Sequence, residues 1–405
     1  MHNGEANHDL GVTRRTAPAS SQQAPQLNEQ LHKIYLAIVA GRKTDFISGL
    51  LLAGLVAWVP LYYIILRLRN WRFDRAEARL LRQPKVPQPN LPQSNLPVSG
   101  LVRQASIPVL SVGNLTTGGT GKTPLVAWLA RLLHSRGYKV AVISRGYRSP
   151  AGSQKNDETL ELMARLPEID FLNGRSRYDQ VRTAVGQLGT QVAILDDGFQ
   201  HRQLFRDLDI VLIDATNPFG FGRLLPAGLM REPLASLNRA AVIVLTRCEL
   251  VSDQVREQLQ QQLQKLNPSA LVVQASTQPV GWITAQNEQL PLTRWQSVPK
   301  FAFCGIGNPE NFLATLQNLG GLVSGWEFFP DHHHFTSQDW ERLIRTARKS
   351  AAEVLVCTHK DLVKIAGCSD DRIPLMALLT ETVLQTNQRE LTERILKVIE
   401  PQKQE

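Results

Sequence analysis

The stretch SVGNLTTGGTGKTPLVAWLA, Ser111 to Ala130, narrows the fold more than any other part of the chain. An apolar run ends in a glycine-rich turn, and a helical pattern begins at once. Glycines let the backbone turn its N–H groups inward, and the helix that follows aims its positive end at an anion held there. This is the context that a phosphate-binding loop requires. Thr116, Thr117, Gly118, Gly119, Thr120 and Gly121 form the loop, Lys122 is placed to reach the β and γ phosphates of a nucleotide, and the Thr123 hydroxyl to ligate Mg2+. The strict pattern has a glycine where Thr116 stands, and Gly118 and Gly119 restore the flexibility. Partitioning ATPases carry an extra lysine at the position of Thr117, which this chain lacks. A glycine-rich turn without a nucleotide is the bland alternative.

Such a loop also needs a carboxylate at the end of another strand to hold the metal, and VAILDDG supplies Asp196 and Asp197. An Asp-Asp-Gly turn alone is ordinary punctuation, but paired with Lys122 it becomes informative. Around these motifs, apolar runs alternate with helical stretches: IPVLSVG, PLVAWLARLLHSRG, KVAVISRG, QVAILDDG, DIVLIDA and AAVIVLTR. Continuously apolar strands separated by helices imply a parallel sheet covered on both faces. The expected fold class is therefore α/β, with a P-loop NTPase-like parallel sheet domain over residues 101–276. A hairpin-like connector follows over 277–297, and KFAFCGIG, SGWEFF and EVLVCTHKD suggest a smaller C-terminal α/β domain over 298–405.

Ahead of this body the chain changes character. Residues 1–30 are polar and poor in large apolar groups, so they read as a disordered tail. From Phe46 to Leu66 the sequence carries no charge and reaches the ~20 residues needed to cross a hydrocarbon core. A buried core helix or a monotopic anchor is the alternative reading. Pro60 is expected to kink this helix. Arg67, Arg69, Arg72, Arg75, Arg79 and Arg82 follow, and an arginine excess marks the cytoplasmic side. Together these make residues 44–83 a membrane helix with a basic juxtamembrane segment, and the prolines of 84–100 make a semi-extended linker.

Net charge is +9, which suits nucleic acid, anionic lipid or phosphorylated substrates alike. No base-reading module is present and the arginines cluster beside the apolar run, so nucleic acid ranks low. Cys248, Cys304, Cys357 and Cys368 show no metal-ligand spacing and read as buried thiols in a reducing compartment.

The strings SVGNLTTGGTGKTP, ISRGY, LDDGFQHRQLFRDLDIVLIDA, PFGFGRLLPAG and LMREPL, in this order behind an apolar helix, closely resemble the tetraacyldisaccharide 4′-kinase family. The resemblance runs from about residue 34 to 365. It implies transfer of the γ-phosphate of MgATP to the 4′-hydroxyl of an acylated glucosamine disaccharide 1-phosphate, at the cytoplasmic face of the inner membrane. It also implies site residues: Asp157 as the base, Glu158 beside it, and Arg177 near the transferred phosphate. His332 of FPDHHHF would support the base from the second domain. Asp196 and Asp197 match the metal pair and His201 the histidine after it, while Tyr147 and Glu232 are weaker candidates for lining the nucleotide or metal site. Membrane lipid is the other implied partner. The family's Gly-Asp-Glu-Pro is Asn156 to Thr159 here, and its Asn in PFGNG is Phe221.

The chemistry agrees with that assignment. Phosphoryl transfer is stabilised by in-line positioning and by cations around the γ-phosphate, which Lys122, Mg2+ and Arg177 would supply. An isolated Asp, with a pKa of about 3.9, is a weak base for a sugar hydroxyl and gains from a partner such as His332. For His332, His333 and His334, a metal site and a plain solvated loop are the competing readings. Lys360 and Asp361 match a family string, with a structural role the simpler one. The rival function is a membrane-associated P-loop ATPase or GTPase switch without lipid transfer, and a non-catalytic membrane scaffold is a third.

Overall fold

The computed structural model describes residues 31, 34–82, 100–145, 157–307, 309–331, 333–365, 367, 370 and 372–400. The expected tail, most of the proline-rich linker, Tyr147, His332 and Cys368 lie outside them. Two compact units are present, Met1–Gly54 and Leu55–Glu405. In the first, the Asp45 carboxylate accepts the N–H and hydroxyl of Ser48 where helix α1 (Phe46–Leu81) begins. Pro60 lies inside that helix.

The second unit is built on a twelve-stranded sheet. Its first lobe contains β1 (Val109–Asn114), α2 (Lys122–Ser135), β2 (Val140–Ser144), α3 (Asp157–Arg165), β3 (Asp170–Asn173), α4 (Arg177–Leu188) and β4 (Val192–Asp196). It continues with β5 (Leu208–Asp214), β6 (Val242–Thr246), α5 (Asp253–Leu266) and β7 (Leu271–Thr284). Across the sheet the order is β3-β2-β4-β1-β5-β6-β7, all parallel. Every residue of β1, β2, β4, β5 and β6 is buried, as continuously apolar strands between two helical layers require. Leu125, Leu129 and Leu133 recur every four residues along α2 and pack on that core.

The second lobe follows with β8 (Gln289–Leu290), β9 (Lys300–Cys304), α6 (Pro309–Asn318), β10 (Val323–Phe328), α7 (Ser337–Lys349), β11 (Val354–Thr358), α8 (His359–Ile365), β12 (Leu375–Leu384) and α9 (Gln388–Ile399). Its strands run β12-β11-β9-β10 in parallel, and β12 joins β7 antiparallel. One strand thus serves both lobes. The start of β7 pairs with β6 and its remainder, through Ser276 and beyond, pairs with β12.

Helix α1 is long and apolar enough to cross a membrane. Phe46, Ile47, Leu50, Leu61, Ile64 and Ile65 are exposed, whereas Leu66, with Val59 and Tyr62, packs on Leu115, Phe199, Leu224 and Met230. Near this contact Phe221 adopts φ 64°, a left-handed conformation that a bulky side chain tolerates poorly and Asn accepts. Phe221 is partly exposed, so little packing is lost on replacing it. Phe221→Asn is therefore expected to stabilise the protein by about 1 kcal/mol, read as a higher thermal midpoint.

Candidate active site

The loop between β1 and α2 is held from three sides. Thr117 N–H donates to the Leu229 carbonyl (2.8 Å), and Arg231 N–H donates to the Leu115 carbonyl (2.9 Å). From the end of β6, the Thr246 hydroxyl donates to the Thr120 carbonyl (2.9 Å) and Arg247 Nη2 to that of Gly119 (2.6 Å). Asn114 Nδ2 donates to the Gly118 carbonyl (3.3 Å). Carbonyls that would repel a phosphate are thus matched to donors on the body. Gly118 (φ 109°) and Gly121 (φ 85°) take left-handed conformations that the turn requires and glycine adopts without a steric cost. Gly121 caps α2 with no side-chain hydrogen bond, so the helix start is left for an anion.

Parallel register sets the carboxylates beside this loop, because Val112 of β1 lies opposite Asp196 of β4. Asp197, just past the strand, takes φ 51°, and its Oδ1 lies 3.6 Å from Lys122 Nζ. Arg231 Nη1 donates to both its oxygens, at 2.9 and 3.1 Å. Burial alone would raise the Asp197 carboxyl, but Lys122 and Arg231 outweigh it and hold the group below the ordinary range. The lysine and the carboxylate therefore share one small, charge-balanced space where triphosphate oxygens and a cation would meet.

Other expected site residues are placed differently. Arg177 is buried and its Nη2 donates to the carbonyls of Asp196 (3.4 Å) and Asp197 (3.2 Å), so it braces the turn that bears the acids. His201 has its pKa lowered to about 4, by burial first and then by the charges of Arg177, Arg206, Arg145 and Arg69. It is a neutral imidazole at pH 7. Glu232, expected at the metal, is fully buried in an ion-pair cluster instead. Its Oε2 accepts from Arg239 (2.9 Å) and Asn70 (3.2 Å) and its Oε1 lies 3.7 Å from Arg69. Its contacts with Asn70 and Arg69 tie α1 to the body. Asp157 and Glu158 open α3, and their side chains are outside the described set, as are Tyr147 and His332.

Sequence reasoning assigned no role to Arg231, Gln200, Thr246 or Arg247. Gln200 links Arg231 to the end of β1, accepting from Arg231 Nη1 (3.3 Å) and donating to the Asn114 carbonyl (2.8 Å). Arg247 also pairs with Asp214 at the end of β5. One available signal was position, since the residues just past the carboxyl ends of parallel strands are where α/β proteins build sites.

Among the described residues no three His, Cys, Asp or Glu side chains could hold an ion by themselves. Mg2+ keeps its waters and takes one or two carboxylates plus substrate phosphates, and Asp196 and Asp197 are two carboxylates beside this loop. The combination defines a P-loop nucleotide-dependent phosphotransferase fold.

The sequence profile of the tetraacyldisaccharide-1-P 4′-kinase family matches residues 99–400, and the chain belongs to that family. A tetraacyldisaccharide 4′-kinase from Halothermothrix orenii is 36% identical over 285 residues, 64% of this chain and 74% of the relative. One from Desulfotalea psychrophila is 35% identical over 302 residues, 70% and 86% of the two chains. The crystal structure of LpxK from Aquifex aeolicus in complex with ATP superimposes with a TM-score of 0.65 at 27% identity, over 86% of this chain and 100% of that one. The chain is thus an ATP-dependent kinase, and the switch reading is not favoured.

Because Asp197 is held low in the folded state, its ionised form adds stability above the ordinary carboxylate value of about 3.9, and this is lost as pH falls through the lowered folded value. Arg231→Met removes one of the three cations responsible, Lys122, Arg231 and Arg177. The acid-unfolding midpoint, followed by circular dichroism, is expected to move to higher pH.

Proposed function

We propose that the protein transfers the γ-phosphate of ATP to the 4′-hydroxyl of a tetraacyldisaccharide 1-phosphate, giving the 1,4′-bisphosphate, at the cytoplasmic face of the inner membrane. The observation that carries this reading is the docking of the apolar helix α1 on the turn that bears Asp196 and Asp197. Tyr62 donates its hydroxyl to the Arg231 carbonyl (3.2 Å), and Arg69 Nη2 donates to the Gln200 carbonyl (2.7 Å). A membrane-seeking element is thus fixed within a few side chains of the phosphate loop, as an acceptor whose acyl tails stay in the bilayer would need.

In this mechanism the loop and the start of α2 bind the triphosphate, with Lys122 balancing charge at the β and γ phosphates. Mg2+, held by Thr123, Asp196 and Asp197, would neutralise charge developing on the phosphate oxygens. Asp157 accepts the proton of the sugar hydroxyl with His332 as its partner, and closure of the second lobe brings the two together and excludes water. His201 stays uncharged and Arg177 keeps the Asp196–Asp197 turn in place.

With purified protein, radiolabelled γ-phosphate is expected on the lipid in thin-layer chromatography. Lys122→Ala and Asp157→Ala should each reduce transfer by roughly 10²-fold or more. Label appearing only as free phosphate with every lipid acceptor would overturn the assignment.

A further inference from the structure

Helix α3 is a short rod whose first residue is Asp157 and whose last is Arg165. The arginine end is anchored in the second lobe. Arg165 Nε donates to His359 Nδ1 (3.1 Å), Nη1 donates to the Thr380 carbonyl (2.9 Å), and Nη2 lies 2.9 Å from Glu161 Oε1 on its own helix. Three partners in three directions fix a planar guanidinium far better than one ion pair does.

Each acceptor has a reason to be there. Thr380 of β12 lies opposite Pro279 of β7, where the pairing of the two strands shifts register, and proline has no N–H to offer. His359 is buried, and burial followed by the charge of Arg165 lowers its pKa to about 3. It is neutral throughout the physiological range, and since Arg165 only donates, Nδ1 is the unprotonated nitrogen.

Helix α8, which His359 opens, holds a second element at its next residue. Lys360 Nζ lies 3.3 Å from Asp331 Oδ1, and Asp331 immediately precedes His332. At the following residue, Asp361 accepts the Gly305 N–H (3.1 Å) and so ties the same turn to the end of β9. One helical turn therefore touches the rod that begins with Asp157 and the loop that contains His332.

We propose that Arg165 and His359 form a positioning pair that fixes α3, the helix that begins at Asp157, in register against the second lobe. The proposal rests on the reading of Asp157 as base and His332 as its partner. Neither Arg165 nor His359 touches substrate.

The test replaces the pair by apolar volume, Arg165→Met with His359→Leu, in the full chain. Transfer to the lipid acceptor is then expected to lose roughly ten- to hundredfold in kcat, the scale of a small misplacement. KM for MgATP should change by less than about threefold, since the phosphate loop is untouched. His359→Asn, which keeps an acceptor near the position of Nδ1, should recover most of the rate. In an Asp157→Asn background the apolar pair should cost little more, because both changes disable the same step.

Wild-type kcat in the apolar double variant, a matching rise in KM, or a loss that adds in full to that of Asp157→Asn would overturn the proposal. Where the double variant does not fold, Arg165→Lys decides. It keeps the charge beside Glu161 without the three-way fork, so the same kcat-only loss is expected, and wild-type kcat would overturn the pair. Full transfer by Asp157→Asn alone is a separate result that removes the base assignment and leaves the interlobe pair to be judged by its split between kcat and KM.

Discussion

The parallel pairing of β1 with β4, with Val112 opposite Asp196, is the constraint on which the rest of the site depends. It brings the loop after one strand and the acids after the other to the same edge of the sheet. Neither motif does useful chemistry alone. Once they are adjacent, a cation at Lys122 and an anion at Asp197 lie 3.6 Å apart, and Lys122 lowers the cost of keeping Asp197 ionised. Arg231 adds a second cation, which keeps the local balance favourable to an incoming polyanion. The left-handed backbone at Asp197 then survives because Arg177 holds the carbonyls on both sides of it.

A second chain of contacts runs from this turn to α1. Arg202 is almost completely buried, with its guanidinium near Asp74 (2.8 Å) and Glu77 (2.6 Å) of that helix, and Nη1 donating to the Asn70 carbonyl (3.2 Å). Arg206 pairs with Glu77 and with Asp209. Buried ion pairs recover little net stability once desolvation is counted, but removing one partner strands a charge. What they supply here is register: a helix with an apolar face could slide along Leu115, Phe199 and Met230, and matched charges fix where it stops. The run that reads as a membrane segment is thus, from Tyr62 onward, also part of the kinase lobe.

Legibility in the sequence followed the range over which each signal acts. Strands and helices of the first lobe could be read because burial on both faces writes continuous apolar runs, and the phosphate loop because its turn requires glycine at fixed places. The roles of Arg231 and Arg247 could not, since nothing local says that Arg231 meets Asp197, or that Arg247 meets the Gly119 carbonyl, more than a hundred residues upstream. For Glu232 the family string suggests a metal ligand, and its ion-pair partners Arg239 and Arg69, from a nearby turn and from α1, were not legible. The long strand β7 was equally opaque. Its LVVQASTQPVGWIT is buried toward both ends and alternates only over Thr277–Val280, and a proline in the middle argues against a strand until the register shift opposite Pro279 is seen.

That shared strand restricts how the two lobes can move. Separate domains on a linker would sample many relative orientations and lose entropy whenever the site closed. Here β7 and β12 carry the sheet from one lobe into the other, so relative motion must be taken up by twist and bending of a hydrogen-bonded pair. The pairing shifts register between Leu379 and Thr380, opposite Pro279, which has no N–H to give. Arg165 reaches the carbonyl at this point from α3, and Arg131 of α2 meets Glu381 one residue on, at 2.7 Å. The irregular point of the strand pair is therefore bonded to the two helices that begin with Lys122 and Asp157.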